Sequence, residues 1–353
     1  MPKVTVLKTS PARVIQDYER LLTYSQYRKH LPLGSDIILK LNLSWSRYYP
    51  ACSTQPWQLD GVLHKLVKDG HRKIYPVENN TVVTDVWKGA KANKWLPIIA
   101  KHNLKMQSLT DVEWVNFRTK KPLTALPKLF PEGLKIPKMF IGKNVLHLPT
   151  MKTHGHTTTT GAMKNAFGGL ITKRRHHCHR MIHEVLVDLL QIQKDIHPGM
   201  FAVMDGTIAG DGAGPRTLVP KVANYILASD DQVAIDAVSA RMMGFDPMKI
   251  KYIRKAHDLG LGCGDVKQID IVGDDIRHTN LHFKAEKSPV IFFDQALRKN
   301  NRWIEKKLFH SCLFNLCILG SHVYHDHIWY NTIGKERIEK FMMTGWGSLF
   351  SRY

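Results

Sequence analysis

The densest chemistry in the chain lies between Lys152 and Gly169, where two lysines, two histidines, five threonines and an asparagine stand among glycines. Hydroxyls and backbone N–H groups in a Gly/Thr turn that leads into a helix suit an anion. Lys152 and Lys164 would neutralise it, and Thr153 and Asn165 would orient it. His154 fits general acid–base work, because imidazole titrates close to neutrality. His154 and His156, two residues apart, are the candidate metal ligands. Lys40 and Asn42 join the ligand-binding set from further upstream, and Asp205, Gly206, Gly212 and Gly214 from downstream. The stretch 206–215 (GTIAGDGAGP) predicts a tight loop, one that carries Asp205 and Asp211 to a ligand or one that is purely structural. It is not a dinucleotide fingerprint, since Pro215 blocks the helix that should follow, and no Gly-Lys-Ser or Gly-Lys-Thr makes it a Walker loop. Asp236 sits in an apolar helix (VAIDAV) and is expected to be buried. Its carboxylate then needs a cation, from Lys40, Lys152 or Lys164, or several donors; a catalytic base is the alternative role. His154, Lys164 and Asp236 are the catalytic candidates.

These residues must be held by regular elements. Residues 4–8 read as a strand, and Ser10-Pro11 as the start of a helix to about Leu22. Residues 36–43 (DIILKLNL) form a second strand whose apolar start suits a sheet covered on both faces. A helix follows, opened by Thr54-Gln55-Pro56 and running to Asp69, with Gly70 just beyond its end. Further strands are expected at 74–78, 145–149, 201–205, 225–229 and 269–272. Helical stretches are expected at 85–106, interrupted by Pro97, and at 231–243, capped by Ser229-Asp230 and ended by Gly244. The alternation predicts an α/β fold with a mainly parallel open sheet and helices on both faces. Residues 1–285 form this domain, with an inserted excursion at about 110–140, and 286–353 form a helical C-terminal extension. In such sheets ligands sit beyond the carboxyl ends of the strands. Lys40, Asn42, Glu78, Lys152, His154, Asp205 and Asp230 all fall at or just after predicted strand ends.

The chain has 353 residues, with 51 Lys+Arg against 30 Asp+Glu, a formal charge of +21. That balance favours an acidic partner: nucleic acid, an anionic surface, or a small phosphorylated or carboxylated molecule. The densest basic run, 173–180 (KRRHHCHR), would serve as a phosphate-binding edge or a solvated face. No homeodomain, zinc-finger or RNA-recognition signature accompanies it. Five scattered cysteines and no CxxC argue against a disulfide framework and against an iron–sulfur cluster motif in this chain. Cys312 and Cys317, with His310, His322, His325 and His327, offer ligands near the C-terminus, although the two cysteines read better as a buried helix face. The first 22 residues lack the apolar core of a signal peptide, and no apolar run approaches a membrane span. A cytoplasmic protein is expected.

Several segments, in order, resemble the family called domain of unknown function 362. They are 39–43 (LKLNL), 148–154 (LPTMKTH), 160–168 (TGAMKNAFG), 203–206 (VMDG), 212–215 (GAGP) and 228–237 (ASDDQVAIDA). The resemblance runs from about 35 to 275 and implies a binding site more than a particular activity. Members are often fused to iron–sulfur ferredoxin modules, which implies a partner in an electron-transfer system. The spacing of Lys152, His154 and Lys164 is also similar, more distantly, to the cofactor-holding residues of the nickel-pincer lactate racemases. The expectation is an enzyme that binds an anionic small molecule or cofactor, with a metal ion assisting, at the carboxyl ends of the sheet. The rivals are a nucleic-acid-binding protein that uses 173–180, and the iron–sulfur partner.

Overall fold

Strand β1 (Lys3–Lys8) sends Val4 and Val6 to one face of a sheet and Leu7 to the other, as the two-residue repeat of extended backbone requires. The same alternation recurs in β2 (Ile37–Lys40), where Ile38 joins the first core and Ile37 and Leu39 the second. The computed structural model describes residues 1–300, 311 and 313–353, the side chains of 173, 174 and 298–300 excepted. His310 and Cys312 lie outside the described residues.

The remaining strands are β3 (Ile74–Glu78), β4 (Gln107–Ser108), β5 (Trp114–Phe117), β6 (Leu134–Pro137), β7 (Asn144–His147), β8 (Thr150–His154), β9 (Thr158–Thr160), β10 (Met200–Ala213), β11 (Thr217–Ser229) and β12 (Asp270–Gly273). The large sheet has the order β12-β1-β11-β10-β7-β2-β3-β4. Its pairs are parallel except where β11 runs against β1 and β10. Strand β8 adds to β10 in parallel and turns back through β9. Strands β5 and β6 form a separate hairpin in the predicted excursion.

Helices cover both faces. On one lie α1 (Val14–Tyr24), α2 (Pro56–Lys68), α3 (Val86–Ala92) and α4 (Trp95–Lys101). On the other lie α5 (Leu126–Leu129), α6 (Ala162–Asn165), α7 (Phe167–Leu170), α8 (Ile182–Ile196), α9 (Gln232–Met243) and α10 (Lys251–Asp258). The extension supplies α11 (Pro289–Asn300), α12 (Phe314–His322), a wide-turn helical segment Val323–Gly334, α13 (Lys335–Met342) and α14 (Gly345–Arg352). The α/β class, the mostly parallel sheet and the helical C-terminal region are as expected.

Three local expectations are corrected. Arg13, not Ser10, occupies the cap position of α1. The 85–106 helix breaks at Asn93 and Lys94, where Lys94 takes φ 62°, and not at Pro97. Pro97 falls in the first turn of α4, where its missing N–H costs nothing. The glycine-rich stretch after Asp205 is no loop but the second half of β10, paired with β11 from Ile208 to Ala213. Its glycines make room. A Cβ on Gly210 would stand 2.7 Å from Leu218 and 3.0 Å from Lys152, and one on Gly214 would stand 2.0 Å from the Thr153 carbonyl oxygen. Glycine here marks close backbone approach, and only Gly214 also stands in the turn to β11.

The end of the extension is embedded in the second core. Trp346 of α14 lies 4.9 Å from the Trp57 ring and donates its Nε1–H to Asn224 Oδ1 at 2.8 Å. Trp346→Ala should therefore lower the denaturant-unfolding free energy by about 3–5 kcal/mol, as for other buried aromatics. An unchanged midpoint would mark α14 as a detachable appendage.

Candidate functional site

Lys40, the last residue of β2, is buried with Nζ 2.7 Å from Glu78 Oε2 and 2.6 Å from the Leu41 carbonyl oxygen. Glu78 ends the neighbouring β3. Burial lowers the Lys40 pKa, outweighing the attraction of Glu78. Helix α7 crosses above this pair on two glycines: a Cβ on Gly168 would come within 3.1 Å of Lys40 Nζ.

On β8, alternation turns Lys152 and His154 toward a cavity and Thr153 away from it. Lys152 is 1% exposed and donates to Asn42 Oδ1 at 2.7 Å, to Ser44 Oγ at 3.1 Å and to the Cys52 carbonyl oxygen. All three acceptors are neutral, and burial pushes its pKa down to about 8. Asn42 also reaches Asn165 Oδ1 at 3.4 Å, and Asn165 donates to the Lys40 carbonyl oxygen at 3.0 Å. These amides tie the ends of β2 and β8 to α6. His154 is buried beside them, and its Nδ1 accepts the His156 backbone N–H at 3.1 Å. Burial, with Lys164 close by, pushes its pKa well down.

Helix α6 carries Lys164 and starts on Asp236. The Asp236 carboxylate accepts the backbone N–H of Ala162 at 2.6 Å and of Met163 at 3.2 Å. Gly161 permits this approach, since a Cβ there would lie 2.0 Å from Asp236 Oδ1. Of the two expected ways to satisfy Asp236 the structure shows the donors, two backbone N–H groups and the Tyr252 hydroxyl at 3.5 Å, with no lysine paired to it among the described residues, and it stands behind α6 rather than in the cavity wall. Burial pushes its pKa up to about 7 despite those bonds.

Lys164 faces the cavity with its Nζ 5.5 Å from the Phe167 ring centre. Among the described residues it forms no ion pair. Burial, and the charges of Lys152 and Arg175, push its pKa down to about 7. Arg175, from the basic run, turns inward and donates to the carbonyl oxygens of Gly168, Asn80 and Ile171 at 2.9, 3.1 and 3.2 Å. Arg216 donates to Ser321 Oγ at 3.0 Å, and its Nη1 is buried with no hydrogen-bond partner among the described residues.

These groups line one cavity of about 480 Å³. Lys40, Asn42, Glu78, Lys152, His154, His156, Lys164, Asn165, Arg175 and Arg216 form its polar wall, with His179 and Asp294 nearby. Val290, Ile291, Phe293 and Leu297 of α11 and Phe314 and Ile318 of α12 form an apolar wall opposite.

Other sequence candidates lie elsewhere. Thr153 donates to the Gly212 carbonyl oxygen at 2.8 Å and stitches β8 to β10. Gly206, Gly212 and Gly214 belong to β10 and its turn and do not line the cavity. Asp205 is buried among Tyr18, Trp57 and Thr207, which donate to it at 2.6, 3.0 and 2.7 Å. Asp211 pairs with Lys221 at 2.7 Å. Both are taken out of the ligand set by partners of their own. Arg216 and Asp294 were not singled out, and neither sits in a recognisable motif; Glu78 could be read only as a strand end.

A mostly parallel α/β sheet with its cavity at the strand ends defines the class. The family described as domain of unknown function (DUF362) matches residues 37–241, and the chain belongs to it. A thylakoid-associated protein of Synechocystis sp. is 27% identical over 238 residues, which make up 65% of this chain and 69% of that protein. No solved structure matches the chain. Among the described residues no helix is long and apolar enough to cross a membrane.

Two outcomes follow from this geometry. Gly161→Ala should push Asp236 off α6 and destabilise the protein by about 1–3 kcal/mol, the usual range for overpacking; an unchanged melting temperature would dispose of the argument. Lys164 offers a test by pH. Its folded pKa of about 7 lies below that of an unfolded lysine, about 10.4, so the unfolded chain holds the extra proton between those values. Stability from this group therefore rises as pH increases from about 7 to 10. Lys164→Met should flatten that rise in denaturant melts and should stabilise the protein at pH 6. An equally steep rise in the variant would contradict the assignment.

Proposed function

We propose that the chain is an enzyme that binds an anionic small molecule or cofactor in this cavity, with the charged end at the polar wall and the body against the apolar wall. The carrying observation is buried positive charge without matching negative charge. Among the described residues, Lys152, Arg175 and Arg216 hydrogen-bond only neutral oxygens, and Lys164 lies over a ring. Of the carboxylates in the wall, Glu78 is engaged by Lys40, and Asp294 faces His156 and His179. A phosphate or carboxylate would supply the missing charge, and charge-assisted hydrogen bonds of this kind are the strong ones. The volume suits one small organic molecule. Lys164, poised near neutrality, would exchange a proton with the bound molecule, as a general acid or base requires. A reducing, cytoplasmic setting belongs to this reading, supported by the free thiols of Cys52 and Cys263.

The test is calorimetry and thermal melting with pyrophosphate, simple organic phosphates and dicarboxylates at moderate salt. At least one should bind saturably, and Lys164→Met should weaken it about tenfold or more, roughly 1.4 kcal/mol. Binding should also weaken above pH 7, as Lys164 loses its proton. Failure of all small anions, together with tight nucleic-acid binding that collapses as salt rises, would hand the function to the basic run instead.

A further inference from the structure

We propose that His156, His179 and Asp294 form a binding site for one divalent transition-metal ion at the edge of the cavity. His156 Nε2 and His179 Nδ1 lie 3.8 and 3.7 Å from the same oxygen, Asp294 Oδ2. All three ligand atoms fall within 4.8 Å of one another. Those two separations exceed a hydrogen bond, so direct imidazole–carboxylate bonding does not set the arrangement. Ligands held about 2.0–2.1 Å from a tetrahedral metal stand roughly 3.3–3.5 Å apart. A contraction of a few tenths of an ångström would bring each nitrogen–oxygen separation into that range, and the two ring nitrogens lie within 4.8 Å of each other.

Three distant segments supply the ligands: the turn between β8 and β9, the short-turn stretch Lys173–Met181, and α11. The two imidazoles stack at 4.5 Å with 26° between their planes. The three side chains are 8%, 30% and 19% exposed, shielded but open on the cavity side. Gln295, next to Asp294, holds the His156 ring from behind: its amide lies 3.3 Å from Nδ1 and 3.1 Å from the Gly155 carbonyl oxygen. The Gln295 Nε2–H now donates to both; coordination through His156 Nε2 puts the ring proton on Nδ1 and so requires Gln295 to give up the Gly155 carbonyl and turn its oxygen to the ring. Two imidazoles and one carboxylate select zinc, cobalt, iron or nickel over magnesium and calcium, which prefer all-oxygen shells. Remaining coordination positions would face the cavity, as in catalytic sites that keep one ligand position open.

His154 is outside the group of ligand atoms that lie within 4.8 Å of one another, and its Nδ1 accepts the His156 backbone N–H. Asp294 lies beyond the family match at 37–241, so the extension completes a site begun in the family region. The inference does not depend on the anion reading, although a metal there would add one more cation to the same cavity.

The test uses the full chain, stripped with chelator and kept in anion-poor buffer, titrated with Co(II) by visible absorption and with Zn(II) by calorimetry. One equivalent should bind with the d–d spectrum of a mixed nitrogen–oxygen shell, and Zn(II) should raise the melting temperature. His179→Ala and the isosteric Asp294→Asn should each weaken binding at least about tenfold, the scale set by disturbing even an outer-shell partner. Lys164→Met, which strikes the anion reading alone, should bind metal as the parent does. Absence of stoichiometric binding, or binding that survives both His179→Ala and Asp294→Asn, would overturn the site. So would loss of the metal in His154→Ala with retention in His179→Ala.

Discussion

Taking an ammonium group out of water costs several kcal/mol even after the protein relaxes around it. This chain does so for Lys40 and Lys152, each 1% exposed, and largely for Lys164, all in the wall of one cavity. Among the described residues only Lys40 has a carboxylate in contact. The others rely on neutral oxygens or an aromatic face, so the wall keeps a surplus of positive charge. Such surplus is what a fold devoted to stability alone would discard, because apolar residues of similar volume usually serve a core at least as well.

The surrounding architecture is arranged to keep these cations in place. Neighbouring parallel strands deliver Lys40 and Glu78 side by side, and the turn of β8 onto β10 brings Lys152 over Asn42. Glycines appear where a side chain would collide with this machinery. Gly161 admits the Asp236 carboxylate to the start of α6, and Gly168 and Gly169 let α7 cross Lys40. Asp236 then acts through the backbone: by holding two N–H groups it fixes the helix that aims Lys164. Depressed lysine pKa values follow from the same burial and need no special chemistry.

Strand periodicity made most of the fold legible. The apolar start of 36–43 and the glycine at 244 behaved as local physics demands, whereas the cap falls on Asp231, one residue past the expected Ser229-Asp230. The 206–215 stretch misled because glycine signals both turns and close strand approach, and only the partner, β8, distinguishes them. Within the site, Lys40, Asn42, Lys152, His154, Lys164 and Asn165 could be gathered from strand ends and one dense segment. Asp205 could not be excluded from sequence, since its partners Tyr18 and Trp57 are more than a hundred residues away. Arg216 and Asp294 were invisible for the same reason: each reaches the cavity through long-range packing that leaves no local pattern.

The central claim is that the cavity holds positive charge awaiting an anion, and Lys164 reports on it directly. Carbon-13 labelling of lysine side chains, with Lys164→Met used to assign the resonance, would give its titration by NMR with and without pyrophosphate. The account predicts a midpoint near 7 in the free protein and a rise of about one unit or more when the anion binds. A midpoint near 10 in both states, as for a lysine in open water, would contradict it.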